Sequence, residues 1–262
     1  MAIRGKSSGT GELTSTWRVA TVVRVHPETA TARTLTLSIP GLGGNLAGQH
    51  VDIRLTAEDG YSAVRSYSVA TAGSGDEFDV TVDELPDGEV SPYLVEDVSV
   101  GDQIEVRGPV GGWFVWRPDN KAPIQLIAGG SGVVPLMAMI RAHEASDNDS
   151  PFRLLYSVRS PEMIIYRDEL KTLAKASSKL TVDFVYTRSA PPEWPTAPKR
   201  LDATALLAQI ISPVVADSDV TPQIFICGQT VFVENVSDWL VQAGYAPETV
   251  KTERFGGTGG TS

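Results

Sequence analysis

Cysteine is almost absent from this chain of 262 residues, which contains one, Cys227. An intramolecular disulfide is therefore impossible, and a reducing compartment suits the chain. Histidine is nearly as scarce. His26, His50 and His143 are far apart and lack the spacing of metal ligands, so we expect no protein-bound metal.

Long apolar runs and an excess of positive charge are also missing. The most apolar window, residues 124–140, contains three glycines and a proline and is too short to span a bilayer. The first 17 residues have no apolar core of the kind that a signal peptide needs. The net charge of -10 argues against non-specific binding to nucleic acid or to an anionic membrane. We therefore expect a cytoplasmic protein that binds neither.

The chain does have enough apolar residues, 42%, for a packed core. Residues 16–118 contain short alternating strands separated by turn residues, which predicts an antiparallel sandwich or barrel. From 119 to 256 strands alternate with helices, which predicts a parallel sheet covered on both faces. The Gly/Ser-rich segments 1–15 and 257–262 are expected to be flexible. The fold class is thus two-domain, β followed by α/β.

Four local patterns make sharper predictions of secondary structure. Residues 91–98 predict a short helix, and residues 101–115 predict a strand, a turn and a second strand. Residues 163–177 and 202–211 each predict a helix between two predicted strands.

A glycine-rich turn follows the first predicted parallel strand. It contains Gly129, Gly130 and Gly132, and Pro135 follows at the start of a helix. Parallel sheets bind ligands at the carboxyl ends of their strands, and a helix N-terminus approached through glycines suits a phosphate. The alternative is a tight turn with no ligand, since the spacing is not G-x-G-x-x-G.

Arginines follow the next strands of the same sheet. Arg159 stands where an acidic residue would suit a ribose 2′-hydroxyl, whereas an arginine suits a 2′-phosphate. Arg188 and Arg200 come at comparable places further on. Together they predict a site for the 2′-phosphate of NADP, the alternative being three solvated surface arginines.

The stretch Arg65-Ser66-Tyr67-Ser68 places a guanidinium, a phenol and two hydroxyls on one predicted strand. On a regular strand Arg65 and Tyr67 share a face and Ser68 points to the other. That pair suits a ligand with a phosphate near an aromatic ring. A surface arginine beside a half-buried tyrosine is the alternative.

Taken in order, four motifs resemble those of the ferredoxin–NADP⁺ reductase superfamily over residues 16–256. They are Arg65–Ser68, Gly108-Pro109-Val110-Gly111 with Phe114 displaced by one residue, Gly129 to Pro135, and Cys227-Gly228. The resemblance implies a flavin-binding antiparallel β-barrel over residues 16–118. It implies a nucleotide-binding parallel-sheet domain over residues 119–256.

For the barrel, the resemblance implies that FAD pairs its pyrophosphate with Arg65, lies against Tyr67 and receives a hydrogen bond from Ser68 near flavin N5. The family's second phosphate-binding segment is matched by Gly88, Val90 and Ser91. The strand before it contains Val82. Ser66 is a further candidate contact on the Arg65 strand.

For the α/β domain, the resemblance implies that Cys227 and Gly228 lie beside the nicotinamide. It also implies that Glu253 and Phe255 belong to a terminal segment near the flavin. Ser68, Cys227 and Glu253 form the candidate catalytic set. Alternatives are that Cys227 is a buried small residue and that Phe255 closes the domain interface.

The function implied is that of a flavin-dependent NAD(P)H oxidoreductase. Hydride would pass from NADPH, favoured over NADH, to FAD, and electrons onward to a separate acceptor such as a ferredoxin or an oxygenase component. One cysteine cannot ligate an iron–sulfur cluster of the kind fused to many relatives. A flavin-bearing electron-transfer or regulatory subunit of a larger complex and a cofactor-free binding module remain alternatives. An acidic run, residues 76–89, is expected to be a solvated edge or a docking patch for a basic partner.

Overall fold

The computed structural model describes residues 16–212 and 221–256. The segments 1–15 and 257–262, for which composition predicts flexibility, lie outside the described residues. The described residues form one antiparallel sheet of six strands and one parallel sheet of five. The antiparallel strands are β1 Trp17–Pro27, β2 Ala32–Ser38, β3 His50–Thr56, β4 Ser62–Ser68, β5 Glu77–Asp83 and β6 Gln103–Val110. The parallel strands are β7 Ile124–Gly129, β8 Phe152–Val158, β9 Leu180–Tyr186, β10 Gln223–Gln229 and β11 Val250–Phe255.

The antiparallel sheet closes on itself. Its strand order is β4-β3-β6-β1-β2-β5, so β4 and β5 are its two edges. Val69, directly after β4, pairs with Val80 of β5. Beside that bridge the Ala70 N–H donates to the Asp79 carbonyl oxygen at 2.8 Å. The two edges are therefore joined, and the predicted antiparallel barrel is confirmed.

Side chains that alternate along each strand fill the barrel. Val51 and Ile53 of β3 are fully buried, while Asp52 between them stays partly exposed. The short helix predicted over residues 91–98 is present as a five-residue helix of π type, Tyr93–Asp97. Its Leu94 packs into the same apolar cluster as the strands, so the helix covers part of the barrel core.

The second strand predicted within residues 101–115 is wrong. β6 ends at Val110, and residues 111–123 contain no strand. Phe114 instead packs edge-to-face against Phe225 of β10, with ring centroids 5.4 Å apart. The apolar run therefore joins the two sheets, and in sequence such a run has the same appearance as a strand.

The parallel sheet has the order β11-β10-β7-β8-β9 and is covered by helices on both faces, as predicted. The helices are α1 Val133–Glu144, α2 Arg167–Ala176, α3 Ala203–Leu207 and α4 Thr230–Gln242. Leu126 of β7 packs in the cluster with α1 and α2, whereas its neighbour Ile127 packs with α3 and α4. Successive residues thus enter different cores, which is why these strands are apolar without alternation. The helix predicted over residues 202–211 is shorter than expected, and β11 is not predicted by the sequence pattern.

The start of α2 also differs from prediction. The pattern predicts a helix over residues 163–177, but α2 begins at Arg167. Tyr166 has φ of 61°, the one positive φ of a non-glycine residue within the described ranges. Its N–H donates to Glu28 Oε2 at 3.0 Å, and its hydroxyl hydrogen-bonds Thr81 in the barrel. Contacts with the barrel therefore override the local helix preference.

One arginine joins the barrel to the helices of the parallel sheet. Arg141 of α1 donates from Nη1 to the carbonyl oxygen of Ala70, just after β4, at 2.8 Å. Its Nε and Nη2 donate to the two carboxylate oxygens of Glu169 in α2, at 2.8 and 2.6 Å. A planar guanidinium that binds three acceptors restrains their relative positions. The end of β4 is thereby held against the parallel sheet.

Candidate active site between the two sheets

Side chains from both sheets meet around one carboxylate. Glu253 lies on β11 opposite Cys227 of β10, and Ser68 at the end of β4 lies opposite His50 at the start of β3. The Ser68 hydroxyl donates to Glu253 Oε2 at 3.4 Å, and Cys227 Sγ lies 3.9 Å from the same oxygen. His50 Nδ1 is 3.9 Å from Glu253 Oε1. The cluster therefore spans the line where the barrel and the parallel sheet touch.

Burial changes the acid–base behaviour of this cluster. It raises the pKa of Glu253 to about 7, although the hydrogen bonds from Ser68 and Cys227 oppose that rise. Burial, and then the nearby charge of Glu253, raise the pKa of Cys227 well above its ordinary value. Cys227 is thus a neutral thiol rather than a nucleophile. Glu253 can hold or release a proton near neutral pH.

The structure brings together the three residues of the candidate catalytic set, Ser68, Cys227 and Glu253. The sequence reasoning missed His50, which it treated as an isolated histidine. The signal that finds it is strand pairing. Once β3 and β4 are taken as an antiparallel pair, His50 falls directly opposite Ser68.

Side chains along β4 alternate between the two faces of the strand. Tyr67 is half-buried against the barrel core, and this burial raises its pKa to about 12, with the charge of Arg65 opposing the rise. Ser66 lies on the other face, where its hydroxyl donates to Asp52 at 2.6 Å. Asp52 in turn accepts from Arg107 at 2.7 Å, so Ser66 already belongs to a local polar network.

Arg65 is exposed on the strand and forms an ion pair with Glu89. Glu89 also accepts from the Tyr61 hydroxyl at 2.6 Å. A hollow of about 520 Å³ beside this pair is lined by both Tyr61 and Tyr93. The sequence reasoning names Arg65 but misses Glu89, because an acid was not expected beside a phosphate-binding arginine.

The segment compared with a second phosphate-binding site is tightly folded. The Ser91 hydroxyl accepts from the Leu85 N–H at 3.0 Å, which braces the loop. A Cβ added at Gly88 would lie 2.9 Å from Ser91 Oγ, so a side chain there would crowd the brace. Val90 and Val82 turn their side chains into the barrel core. Of Val82 and Val90, only backbone groups are therefore available to a ligand.

Other acids of the 76–89 run also have internal partners. Asp79 accepts from the Thr36 hydroxyl at 2.6 Å, and Asp83 accepts from the Thr31 hydroxyl at 2.9 Å. The run is therefore not the uniformly solvated edge that composition predicts.

The glycine turn allows close packing between neighbouring strands. After Gly129 a single 3₁₀ turn, Gly130–Gly132, leads into α1, whose first turn contains Pro135. A Cβ at Gly132 would lie 2.1 Å from the Cys227 carbonyl oxygen. A Cβ at either Gly129 or Gly228 would lie 2.8 Å from the Phe232 ring. The glycines thus bring the start of α1 directly against the end of β10.

The candidate 2′-phosphate arginines lie at the carboxyl edge of the parallel sheet. Arg159 follows β8, and the Arg188 N–H donates to its carbonyl oxygen at 2.9 Å. Arg200 comes one residue after Lys199, whose N–H donates to Tyr186 at the end of β9 at 3.0 Å. All three arginine side chains are exposed.

Phe255 ends β11 opposite Gln229 and is half-buried. It packs against the apolar cluster that contains α1 and, from the barrel, Ala47 and Ala70. It therefore lies where the two sheets approach each other.

Within residues 16–212 and 221–256, no helix is long and apolar enough to cross a membrane. The same residues contain no group of three or more His, Cys, Asp or Glu side chains arranged to bind a metal ion.

The chain was compared with known protein families. Residues 20–115 match the oxidoreductase FAD-binding domain, and residues 126–238 match the oxidoreductase NAD-binding domain. The solved structure of a ferredoxin NADP⁺ reductase from Neisseria gonorrhoeae with bound FAD and NADP has a TM-score of 0.75 at 22% identity, covering 91% of this chain and 98% of that one. At this identity the likeness concerns the fold.

Two curated relatives are more similar in sequence. The glycine betaine monooxygenase reductase subunit of Chromohalobacter salexigens is 32% identical over 80% of this chain, which spans 56% of that protein. Ferredoxin–NADP reductase B of Sorangium cellulosum is 33% identical over 80% of this chain and 84% of the relative. Taken with the two domain matches and the fold, these relatives show that the chain belongs to the ferredoxin reductase-like family of FAD- and NAD-binding oxidoreductases.

Proposed function

We propose that the chain catalyses hydride transfer from NADPH to FAD and passes the electrons to a separate acceptor, a ferredoxin or an oxygenase component. The observation that carries this proposal is the meeting of Ser68, Cys227 and Glu253 at 3.4 and 3.9 Å. One of these residues comes from the FAD-binding barrel and two come from the NAD-binding sheet. A site for two stacked redox rings needs such a junction.

The residues near Arg65 fit a flavin dinucleotide. A guanidinium is the side chain best suited to a diphosphate, and Tyr67 offers an aromatic surface next to it. The hollow beside Tyr61 and Tyr93 gives the adenosine end a place beyond Arg65. Gly88 and Val90 flank Glu89 in the chain, and the backbone of Val82 on β5 is a further candidate contact.

Bound FAD supplies the ability to accept a hydride and to release electrons one at a time. The Ser68 hydroxyl has one hydrogen, which in this structure points to Glu253. It would donate at the flavin edge when its oxygen instead accepts from protonated Glu253. With a pKa of about 7, Glu253 can be protonated or ionised near neutral pH, which decides whether it donates to Ser68 or accepts from it. Cys227, neutral and buried, supplies a compact wall for the nicotinamide. Phe255 excludes water from the junction.

The pyridine nucleotide would lie across the carboxyl edge of the parallel sheet. The glycine turn at Gly129, Gly130 and Gly132, followed by Pro135, would receive the pyrophosphate, with open space beside Gly130 and with Gly228 at the adjoining end of β10. Arg159, Arg188 and Arg200 receive the 2′-phosphate that distinguishes NADPH from NADH. The support for NADPH is that all three side chains are exposed at this edge.

The acceptor is a separate protein or small molecule. Support comes from the names of the relatives, which include a monooxygenase reductase subunit and a ferredoxin–NADP reductase. Work in a reducing cytoplasm belongs to the same proposal, and the single buried thiol Cys227 is compatible with it.

Anaerobic titration of the FAD-loaded protein with NADPH and with NADH tests the proposal. We expect both to bleach the visible flavin absorbance and NADPH to do so at lower concentration. Adding an oxidised ferredoxin should then restore the absorbance. A protein that binds FAD but is bleached by neither nucleotide would contradict the proposed activity.

A further inference from the structure

The Arg65–Glu89 ion pair lies where the proposed function puts the FAD diphosphate. Arg65 Nη2 binds Glu89 Oε2, and Nη1 donates to the carbonyl oxygen of Val64 at 2.8 Å. Glu89 Oε1 accepts from the Tyr61 hydroxyl at 2.6 Å. Both carboxylate oxygens of Glu89 and both terminal nitrogens of Arg65 therefore already have partners.

We infer that Glu89 is a built-in competitor of the FAD diphosphate for Arg65, and that it lowers the affinity of the protein for FAD. This inference rests on the proposed placement of the diphosphate at Arg65. Arginine remains charged and donates through a fixed planar fork, so a diphosphate oxygen and the Glu89 carboxylate seek the same N–H groups. When FAD binds, its diphosphate must therefore displace the Glu89 carboxylate from Arg65, because Arg65 is already paired.

Tyr61 holds Glu89 in place as the competing anion. Its hydrogen bond, followed by the contribution of Arg65, holds the pKa of Glu89 below its ordinary value, so Glu89 is a carboxylate at neutral pH. The same hydrogen bond retains Glu89 close to Arg65 after the guanidinium turns to FAD. Glu89 then remains within reach of the guanidinium and continues to compete for its N–H groups.

The effect should be modest and dependent on salt. The side chains of Arg65 and Glu89 are 51% and 46% exposed, and ion pairs at such sites are weak and screened. A weak competitor does not prevent binding, but it raises the Kd for FAD.

Titration of the deflavinated 262-residue chain with FAD, followed by quenching of flavin fluorescence, tests this inference. We expect Glu89→Gln to lower the Kd for FAD roughly two- to five-fold at low ionic strength and to lose that advantage in high salt. The Kd for riboflavin, which lacks the phosphates, should not change. Gln has the shape of Glu at an exposed position, and a thermal melt checks that the variant folds.

The matched control is Asp87→Asn, which removes an exposed acid two residues earlier that lies outside the Arg65 ion pair. It changes the net charge equally and should leave the FAD affinity nearly unaltered. If it tightens FAD as much as Glu89→Gln does, general electrostatics explains the effect and the inference is wrong. Equal tightening of riboflavin would also overturn it.

Arg65→Gln separates this inference from the function on which it rests. If that change leaves the FAD affinity intact, Arg65 does not hold the diphosphate and the proposed cofactor placement fails. If it weakens FAD while Glu89→Gln has no effect, the placement stands and the competition fails. In the Arg65→Gln background, Glu89→Gln should have no more effect than Asp87→Asn, and a full effect there would contradict competition for Arg65.

Discussion

Glu253 shows how burial changes what one side chain can do. Its carboxylate is 22% exposed and shares its oxygens with Ser68, Cys227 and His50. None of these neighbours fully compensates the cost of removing a charge from water, so the neutral form is favoured. The burial that raises the pKa of Glu253 also means that its ionised form destabilises the folded protein.

The stability of the protein should therefore depend on pH through Glu253. The unfolded carboxyl ionises near 4.5 and the folded one near 7, so between these values the unfolded state has lost a proton that the folded state keeps. The free energy of unfolding of the wild type falls across this range and stays lower above it. Replacing Glu253 by Gln removes this loss. Between about pH 5 and about pH 8, the free energy of unfolding of the variant should rise relative to that of the wild type by at most about 3 kcal/mol. Urea unfolding at the two pH values measures this difference.

Glu248→Gln is the control for this prediction, because Glu248 is an exposed acid in the turn before β11. Its stability difference from the wild type should be the same at both pH values. A pH-independent difference for Glu253→Gln would mean that the folded carboxyl titrates normally.

Arg159 carries the preference between the two nucleotides in our proposal. A charged hydrogen bond to the 2′-phosphate is lost when Arg159 is replaced by Gln, so the KM for NADPH should rise about ten-fold or more. The KM for NADH should change little, since NADH has no such phosphate. Steady-state reduction of a dye acceptor measures both constants.

Arg117→Gln, at another exposed arginine in the segment between the sheets, should alter neither KM. An equal rise for the two nucleotides in Arg159→Gln would remove the assignment to the 2′-phosphate.

The turn between β7 and α1 depends on the absence of side chains at selected positions. At Gly132 the space that a Cβ would need is filled by the backbone of Cys227 and Gly228. At Gly130 the space is open, and glycine is favoured only by its φ of 58°. The same turn therefore contains a steric requirement and a conformational one, two residues apart.

Gly132→Ala should consequently cost much more than Gly130→Ala. We expect about 3 kcal/mol for the first, because backbone atoms 2.1 Å away cannot rotate aside, and about 1 kcal/mol for the second. Urea unfolding measures both. Gly132→Ala should also weaken NADPH binding, because it pushes the end of β10 away from α1.

The success of sequence reasoning differed among the elements for physical reasons. Four of the five parallel strands, β7 to β10, and the glycine turn follow from local composition, and all are present. The start of α2 does not, because Glu28 and Thr81 in the barrel hold Tyr166 out of the helix. The strand expected before residue 115 fails for a similar reason, since Phe114 packs on Phe225. Contacts between distant segments leave no local pattern.

The candidate site shows the same division. Ser68, Cys227 and Glu253 were found through family motifs, because each motif keeps its order along the chain. His50 was missed because strand pairing places it beside Ser68. Glu89 was missed because its place in the site depends on its ion pair with Arg65. A single sequence does not display either relation.

The barrel and the parallel sheet work together only if their relative position is fixed, and Arg141 contributes to this. It binds Ala70 on one side and Glu169 on the other, and its side chain is 23% exposed. Ala70 comes two residues after Ser68, the last residue of β4. A disturbance at Arg141 is therefore transmitted to the junction that contains Ser68.

Arg141→Leu should lower the free energy of unfolding by about 2–3 kcal/mol, because the buried carbonyl of Ala70 loses its donor. It should also slow flavin reduction by NADPH, as measured by stopped flow. Arg153→Leu is the matched control, since Arg153 pairs with Asp183 at 2.9 Å inside the parallel sheet. That change should leave the reduction rate as it is. Equal rates for Arg141→Leu and the wild type would show that this contact does not set the geometry of the junction.

Ser68 and Glu253 are 185 positions apart in the chain. During synthesis, a ribosome therefore needs roughly 10 to 40 s after adding Ser68 before it adds Glu253. In that interval the nascent barrel already contains Arg65 and Tyr67, but β10 and β11 do not yet exist beside it. Any flavin captured so early would be covered by the barrel alone and would be open to solvent on the side where the parallel sheet later packs.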